Sequence, residues 1–165
     1  RLQLAPRALV CKNSTIEGDV RIGNGTVVHV GAAIIAKNGP IIIGSNNIIS
    51  ERVVIVNNHS TPLTIGDENL LETDARIEGR GMGHRNTVQV RGRVAGTSTL
   101  GNNCVVGTMC STAPNESVPD NTVLFGNPQS RRLRTDGSME LAAHRKHLEY
   151  IHDMLPRYNH IIETE

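Results

Sequence analysis

Aromatic residues are almost absent from this sequence of 165 residues, which contains one Phe, two Tyr and no Trp. A surface that binds nucleic acid by stacking bases on aromatic rings therefore has few side chains from which to be built. The charges also nearly cancel, because 17 Lys and Arg stand against 16 Asp and Glu. Since this balance gives no broad electrostatic field, we expect no binding to nucleic acid or to acidic membranes.

Long apolar runs and regularly spaced cysteines are missing as well. No run approaches the roughly 20 apolar residues that a membrane-spanning helix requires, so we expect no direct membrane insertion. The cysteines Cys11, Cys104 and Cys110 form neither a CxxC pair nor an even set. This favours ordinary thiols in a reducing cytoplasm over a disulfide framework. The chain begins at Arg1 rather than at Met, and we expect its native start to lie elsewhere.

What the sequence does contain is an aliphatic residue at every sixth position. Two unbroken runs, over 4–34 and 82–124, are apolar at 13 of 14 such slots, and only Thr112 interrupts them. A period of six fits neither the 3.6-residue turn of a helix nor the alternation of a hairpin. It fits short strands separated by corners, in which three hexapeptides form one triangular coil and each strand pairs in parallel with its equivalent in the next coil.

The full set of slots predicts the size and the details of this column. Twenty slots, counted with phase shifts at two insertions, form nearly seven coils, which is roughly 30 Å at about 4.8 Å per coil. The insertions near 35–40 and 57–62 are predicted to be outward loops. Asn47, Asn69 and Asn86 are predicted to stack as a hydrogen-bonded ladder at one corner. The predicted fold class is an all-β solenoid, a parallel β-helix of about seven triangular coils.

A helical pattern follows the last hexad. Gly126 and Pro128 break the repeat, and the remaining sequence predicts a linker, one helix ended by Pro156, and a short tail. The predicted segments are the β-helix over 1–128, the linker over 129–137, the helix over 138–155 and the tail over 156–165. The histidines of the helix and tail, with Arg145 and Lys146, are expected to form a solvated basic patch.

The residue before each slot faces outward, and on one face of the column these residues are apolar. An exposed apolar stripe calls for a partner surface. The apolar side of the helix, whose 18 residues span about 27 Å, matches the height of the column, so we expect the helix to run back along this face. The predicted docking residues are Leu9, Val27, Ile48, Leu70, Val105 and Val123 on the column and Leu141, Leu148, Ile151 and Leu155 on the helix.

Parallel β-helices of this type include γ-class carbonic anhydrases, which bind a metal ion through three His. The corresponding positions in this chain hold Val56, Thr73 and Glu78. Val has no donor atom, and one Thr with one Glu makes a poor Zn²⁺ site. His59, in the second insertion, could imitate a ligand, but a solvated loop histidine is the preferred interpretation. We therefore predict no metal site.

Hexapeptide acyltransferases are the second enzyme class with this fold, and they use a His general base beside a cleft between subunits. His29 and His84 are the candidates here, although the spacing shows no carboxylate partner for either. We predict no catalytic residue in this chain. A homotrimeric γ-class carbonic anhydrase-like protein or acyltransferase is the alternative function.

Four segments resemble the dynactin subunit 6 family of left-handed β-helix hexapeptide-repeat proteins, which is related to γ-class carbonic anhydrase-like proteins. They are GDVRIG at 18–23, GPIIIGSNN at 39–47, NTVLFGNPQSRR at 121–132 and LPRYNHI at 155–161. The resemblance covers nearly the whole chain, and its most specific parts are the end of the repeat and the LPRYNH tail. The left hand predicted for the coil comes from this resemblance, since spacing alone does not show it.

The resemblance implies a non-catalytic structural and adaptor subunit of the dynactin pointed-end complex, in the cytoplasm and with the cytoskeleton, without a cofactor. It also implies a role in dynein-dependent transport of cargo and organelles. The implied partners are dynactin subunit 5, which is the sister β-helix, the pointed-end actin-related protein and dynactin subunit 4. A stiff column with open strand edges at its ends suits such a role. Together with these ends, the predicted partner-binding residues are Asn57, Asn58, His59, Ser60, Thr61, Arg131 and Arg132, and the two arginines alternatively form plain solvated charge.

Overall fold

The computed structural model describes residues 1–126, 130–134 and 136–162. The chain winds into a left-handed parallel β-helix of about seven coils, in which each side of a coil is a strand of two to four residues. One helix, α1 (Ser138–Tyr158), follows the coils. The predicted solenoid with a single C-terminal helix is confirmed.

The strands form three sheets, one on each side of the triangular column. The first sheet, in spatial order, consists of β1 (Leu2–Leu4), β4 (Val20–Ile22), β7 (Ile41–Ile43), β10 (Leu63–Ile65), β13 (Gly81–Met82), β16 (Thr99–Leu100) and β18 (Ser117–Val118). The second sheet consists of β2 (Leu9–Val10), β5 (Val27–Val28), β8 (Ile48–Ile49), β11 (Leu70–Leu71), β14 (Thr87–Val88), β17 (Val105–Val106), β19 (Thr122–Phe125) and β20 (Ser130–Leu133). The third sheet consists of β3 (Thr15–Glu17), β6 (Ala33–Ala36), β9 (Val54–Asn57), β12 (Arg76–Ile77) and β15 (Arg93–Val94).

The aliphatic slots of the hexads fill the interior of the column. The parallel register places Val10 beside Val28 and Val28 beside Ile49, so each slot stacks on the equivalent slot of the next coil. All three side chains are fully buried. Burial of one such side chain stabilises the fold by roughly 1.5–3 kcal/mol before the opposing chain entropy. The repeated aliphatic slot is therefore the main source of stability in this fold.

Thr112, the polar residue in the aliphatic series, is buried like its neighbours. Its hydroxyl oxygen accepts a hydrogen bond from the Ala95 amide at 2.8 Å and lies 2.6 Å from the Ser98 hydroxyl. These two contacts satisfy the buried hydroxyl group, so it needs no hydrogen bond to water. The hexad pattern thus changes at a point where neighbouring coils supply polar contacts.

The predicted asparagine ladder is confirmed at one corner of the column. Asn47 Oδ1 accepts hydrogen bonds from the Asn69 backbone amide at 2.9 Å and from Asn69 Nδ2 at 3.0 Å. Asn69 Oδ1 accepts from the Asn86 amide at 2.9 Å, and Asn86 Oδ1 accepts from the Cys104 amide at 2.8 Å. Below them, Thr26 Oγ1 accepts from the Asn47 amide at 3.2 Å. Each rung therefore satisfies a backbone amide of the next coil.

Residues 130–133, within the predicted linker 129–137, form β20 instead of a loop. β20 is antiparallel to β19, and its register pairs Val123 with Arg132 and Leu124 with Arg131. β19 is the last coiled strand of its sheet, so its outer edge carries hydrogen-bonding groups that no further coil satisfies. This edge explains the strand and corrects the predicted linker. The predicted boundary between 128 and 129 lies outside the described residues.

Helix α1 continues to Tyr158, three residues beyond the predicted end at Leu155. Pro156 lies inside it and has no amide hydrogen to donate. The Asn159 amide donates to the Leu155 carbonyl at 3.0 Å, and this hydrogen bond spans the proline. Because Leu155 is also buried against the column, the last turn is held from both sides. This contact corrects the predicted helix end.

Helix α1 lies against the lower coils of the second sheet. Leu148, Ile151 and Leu155 form a buried cluster with Val27 and Ile48. Cys11 completes this cluster, and Leu9, Leu70, Val30 and Ile161 lie partly buried at its margin. The helix therefore runs back along the predicted face, but over only part of it.

Two histidines show the inclination of the helix. His152 Nε2 lies 2.8 Å from the Gly25 carbonyl oxygen, and His144 Nε2 lies 2.8 Å from that of Asn46. Gly25 and Asn46 occupy the same corner of adjacent coils, about 4.8 Å apart along the column. His152 follows His144 by eight residues, which is about 12 Å along a helix, so α1 crosses the face obliquely. Since His144 is buried, the predicted solvated patch is corrected for this residue.

The oblique path leaves the upper part of the predicted docking stripe outside the buried helix contact. Val105 and Val123 do not belong to the cluster beneath α1, and Leu141, in the first half of the helix, is only half-buried. These three residues line an open groove instead. The predicted docking at Val105 and Val123 is therefore corrected. The helix begins at the height of these coils, since Arg134 just before it donates to Asn103 Oδ1 at 3.0 Å, but its first half does not cover the two valines.

Candidate functional site

The second insertion forms a loop that is organised by Asn57. Its side chain is 1% exposed, and Nδ2 donates to the carbonyl oxygens of Pro40 at 3.0 Å and Thr61 at 2.9 Å. Its Oδ1 accepts the His59 amide at 2.9 Å. Asn57 therefore shapes the loop from inside, which corrects its predicted role as a partner contact.

The remaining predicted residues of this loop lie at its surface. Asn58, Ser60 and Thr61 are exposed, and His59 is half-buried. His59 Nε2 lies 2.5 Å from the Gly96 carbonyl oxygen. This contact joins the loop to the column two coils above and engages one of the two ring nitrogens of His59. The loop is thus a preformed protrusion with three exposed polar side chains.

Arg131 closes the upper end of the column. Its Nε and Nη2 each lie 2.7 Å from an oxygen of Glu116, in a two-point ion pair. The hydrogen bond from Arg131 lowers the pKa of Glu116, although burial opposes the shift. Arg131 pairs in register with Leu124, an interior slot, so its side chain lies on the inner side of the sheet. Its guanidinium is therefore engaged within the fold.

Arg132 points to the other side of β20. Its guanidinium carbon lies 5.3 Å from the centre of the Phe125 ring, within the range of a cation–π contact. Both side chains are exposed. Both predicted arginines are exposed, but Arg131 is bound to Glu116, whereas Arg132 lies over the Phe125 ring.

Of the three positions that correspond to metal ligands, only Glu78 is charged, and it forms ion pairs with two arginines. Glu78 accepts hydrogen bonds from Arg76 and from Arg93, the latter at 3.0 Å. Burial favours the neutral form of Glu78, but the two arginines outweigh it and lower its pKa. Val56 is buried and Thr73 is half-buried. Across residues 1–126, 130–134 and 136–162, no three His, Cys, Asp or Glu side chains are grouped as metal ligands.

His29 has a carboxylate neighbour that the spacing did not reveal. Its Nδ1 lies 3.4 Å from Glu51 Oε1 in the next coil. Burial lowers the pKa of His29, the Glu51 charge raises it, and His147 of α1 lowers it further. The imidazole lies beside the docked helix, so it belongs to the helix contact.

His84 belongs to an outer ladder that the sequence reading also missed. Its Nδ1 accepts the Asp67 amide at 2.8 Å, and its own amide donates to Asn102 Oδ1 at 2.7 Å. Asp67 and Asp120 continue the ladder by accepting the Ser45 and Asn102 amides at 2.8 Å. The signal was present in the sequence, since a polar residue lies two positions after each of the slots Ile43, Ile65, Met82, Leu100 and Val118.

The two ends of the column are closed on one sheet only. β20 covers the last coiled strand of the second sheet, and the tail covers the first, where Ile161 forms an antiparallel bridge with Cys11 and the Ile162 amide donates to Val10 at 2.8 Å. Residues 163–165 of the predicted tail lie outside the described part. Among the described residues no strand pairs with the outer edges of β1, β3 or β18. Such edges pair readily with another chain.

An open groove of about 1430 Å³ lies between the first half of α1 and the upper coils of the second sheet. Its floor is the uncovered part of the outward stripe, and β20 forms its upper rim. The residues that define it are Leu70, Thr87, Val105 and Val123 on the floor, Leu141 on the helix, and Phe125, Arg132 and Leu133 at the rim.

These features define the class of protein as a hexapeptide-repeat left-handed β-helix. An N-acyltransferase from Bacillus cereus is 14% identical, with a TM-score of 0.69 over 93% of this chain and 91% of that one. A UDP-N-acetylglucosamine O-acyltransferase from Moraxella catarrhalis is 17% identical, with a TM-score of 0.59 over 83% of this chain and 77% of that one. At these identities the likeness shows the fold alone.

Within this class the chain belongs to the dynactin subunit 6 family. It is 34% identical to dynactin subunit 6 of Nematostella vectensis, over 98% of this chain and 92% of the relative. The identity to the Danio rerio protein is 33%, over 99% and 88% of the two chains. For Dictyostelium discoideum it is 32%, over 96% and 86%. No family model matches the chain. Among the described residues, no helix combines the length and apolar character of a membrane span.

Proposed function

We propose that this chain is a non-catalytic structural and adaptor subunit of the dynactin pointed-end complex, and that it supports dynein-dependent transport of cargo and organelles by binding other proteins. The observation that carries the proposal is the identity of 30–34% to dynactin subunit 6 proteins over at least 96% of the chain. On this proposal the protein works in the cytoplasm, with the cytoskeleton.

The proposed partners are dynactin subunit 5, the pointed-end actin-related protein and dynactin subunit 4. A column held together by stacked aliphatic slots and internal ladders is stiff, and it keeps its outer surfaces in fixed positions. The surfaces available to partners are the open edges of β1, β3 and β18, the exposed loop side chains of Asn58, Ser60 and Thr61, and Arg132.

The absence of catalysis is part of the proposal and is supported by the contacts of three side chains. Glu78 is bound between two arginines, His59 contacts a backbone carbonyl, and His84 accepts a backbone amide in the outer ladder. Each of these three groups therefore has a structural partner within the fold.

Copurification tests the proposed assembly. The chain is coexpressed with a tagged dynactin subunit 5 and analysed by size-exclusion chromatography with light scattering. We expect the two subunits to elute together at a fixed stoichiometry. An isolated homotrimer that ignores the tagged subunit contradicts the proposal and favours an acyltransferase or carbonic anhydrase ancestry.

A matched pair of variants tests the loop. Thr61→Lys changes an exposed residue of the protruding loop, and Thr64→Lys changes an exposed residue on the flat first sheet nearby. We expect Thr61→Lys to reduce binding to the pointed-end subunits by more than Thr64→Lys, with unchanged circular dichroism. Equal effects exclude the loop from the interface.

The enzyme alternative has a direct assay. Zinc content is measured after metal loading, together with CO₂ hydration by stopped flow. The proposal expects substoichiometric zinc and no rate above the uncatalysed reaction, whereas one zinc per chain with turnover refutes it.

A further inference from the structure

The groove continues the surface on which helix α1 already sits. In the lower coils, the outward side chains Val27 and Ile48 are covered by apolar residues of α1. In the upper coils, Val105 and Val123 occupy the same outward position of the same sheet and line the groove; Val123 is only 9% exposed, whereas Val105 is half-buried. The face therefore shows, within one molecule, both an occupied and an open seat for an amphipathic helix.

Two large apolar side chains lie at the upper rim of this open seat. Phe125 is 42% exposed and Leu133 is 76% exposed, and both line the groove. Exposed apolar residues are ordinary when scattered, but a floor and rim of such residues that meet in one concave surface mark an interaction site. Aromatic and arginine side chains beside such a pocket are typical anchors of protein interfaces.

The charges of β20 and its neighbours give the groove a polarity. Arg131 is paired with Glu116, and Arg134 lies 3.7 Å from Glu140. For Arg132, no carboxylate partner occurs among the described residues, and its guanidinium lies over the Phe125 ring. The upper rim therefore presents one cation that a carboxylate from outside can neutralise.

The opposite end of the groove carries acidic side chains. Asp67 and Glu72 line it there, while Glu68 is already bound by Arg145 at 2.9 Å. Asp67 lies 3.8 Å from His84, and Arg85 also lines the groove, so this end carries charges of both signs. The charge that selects a ligand is therefore that of Arg132, which fits a segment with a carboxylate at the upper end.

We propose that this groove binds an amphipathic α-helix of a partner protein, with its apolar side on Val105, Phe125 and Leu133 and a carboxylate on Arg132. The proposal rests on the proposed function, because the partner is taken to be another subunit of the pointed-end complex. It adds the seat and the chemistry of the segment that binds there.

Binding is measured with the full chain and the purified assembly of dynactin subunits 4 and 5 and the pointed-end actin-related protein. Leu133→Ser and Arg132→Glu remove the apolar anchor and the cation without changing a buried residue. We expect each of these two variants to raise the dissociation constant by about tenfold. The dissociation constant of Arg132→Lys is expected to stay within about threefold of the wild-type value. The control Thr99→Glu changes an outward residue of the first sheet, in the same coil as Val105, and is expected to leave binding unchanged.

A photo-crosslinking amino acid identifies the occupant. Placed at position 133, it is expected to label a partner helix that carries an acidic residue, whereas at position 117 on the first sheet it labels other sequences or none. The proposal is overturned if the assembly binds normally to Leu133→Ser and Arg132→Glu, or if position 133 labels a strand or a second copy of this chain. If the wild-type chain binds none of the subunits, the proposed function itself fails. This result differs from normal binding of the wild-type chain and of both groove variants, which refutes only the role of the groove.

Discussion

Replacing Asn69 with Ala removes the central rung of the buried asparagine ladder. The Asn69 side chain is 0% exposed. It donates to Asn47 Oδ1 and to the Gly83 carbonyl at 3.0 Å each, and it accepts the Asn86 amide at 2.9 Å. The substitution therefore deletes three hydrogen bonds at once. The Ala side chain has no polar group to replace them and does not fill the space of the amide.

The magnitude follows from the groups left without partners. Asn47 Oδ1 still accepts the backbone amide of residue 69 at 2.9 Å, but the Asn86 amide and one lone pair of Gly83 lose their partners in the interior. An unsatisfied buried polar group costs about 1–3 kcal/mol, and with the lost side-chain volume the variant should lose about 3–5 kcal/mol. For a chain of this size, this loss lowers the melting temperature by roughly 6–20 °C.

Urea unfolding followed by far-ultraviolet circular dichroism measures this loss, since the chain has no Trp for fluorescence. The control is Asn102→Ala, which removes an exposed acceptor of the outer ladder, where water replaces the bond to the His84 amide. We expect its cost to stay below about 1 kcal/mol. A loss below 1 kcal/mol for Asn69→Ala, or equal losses for both variants, would refute the reasoning that burial sets the value of a rung.

Three further predictions concern the upper end, the helix contact and the corners. Arg131→Ala should cost about 0.5–1 kcal/mol at pH 7. Because the hydrogen bond from Arg131 lowers the pKa of Glu116 from 4.5, this contribution is fully present above pH 4.5 and should be lost in acid denaturation curves as the pH falls through the lowered pKa. His29→Gln should flatten the loss of stability as the pH falls below 6.5, because the lowered pKa of His29 keeps it neutral in the fold while the unfolded chain takes up a proton, and unchanged pH dependence contradicts this. Met109→Gly should raise the free energy of unfolding in urea by up to about 1 kcal/mol, since Met109 is 69% exposed at a φ of 58°. Met139→Gly, in the exposed first turn of α1, should lower it.

The period of six was sufficient to predict the coils because the same interaction repeats at every slot. Val10, Val28 and Ile49 each face the interior for one reason, the burial of an aliphatic side chain, and that reason is visible in the sequence. The asparagine ladder was predictable on the same basis, because a corner position that recurs by coil places like side chains above one another.

The features that sequence reasoning missed depend on single tertiary contacts. Residues 130–133 read as a charged linker because two arginines lie in them, and their strand exists only because β19 offers an unpaired edge. Glu51 was missed as the neighbour of His29 because an insertion lengthens this coil, so the neighbour lies 22 positions on instead of 18 or 19. His144 read as solvated because the path of the helix, and not its pattern, brings its ring to the Asn46 carbonyl.

The C-terminal segment limits end-to-end stacking of this column. A parallel β-helix with three open edges at each end could in principle stack on further copies without limit, since every strand offers its edge to an equivalent strand. Here β20 and the tail place antiparallel segments on the second sheet at both ends, where a stacked coil would need a parallel strand. Coil-on-coil stacking of identical copies therefore lacks one of its three sheets. Partners that approach the ends must pair with the first or third sheet alone, which favours a limited assembly over a continuous filament.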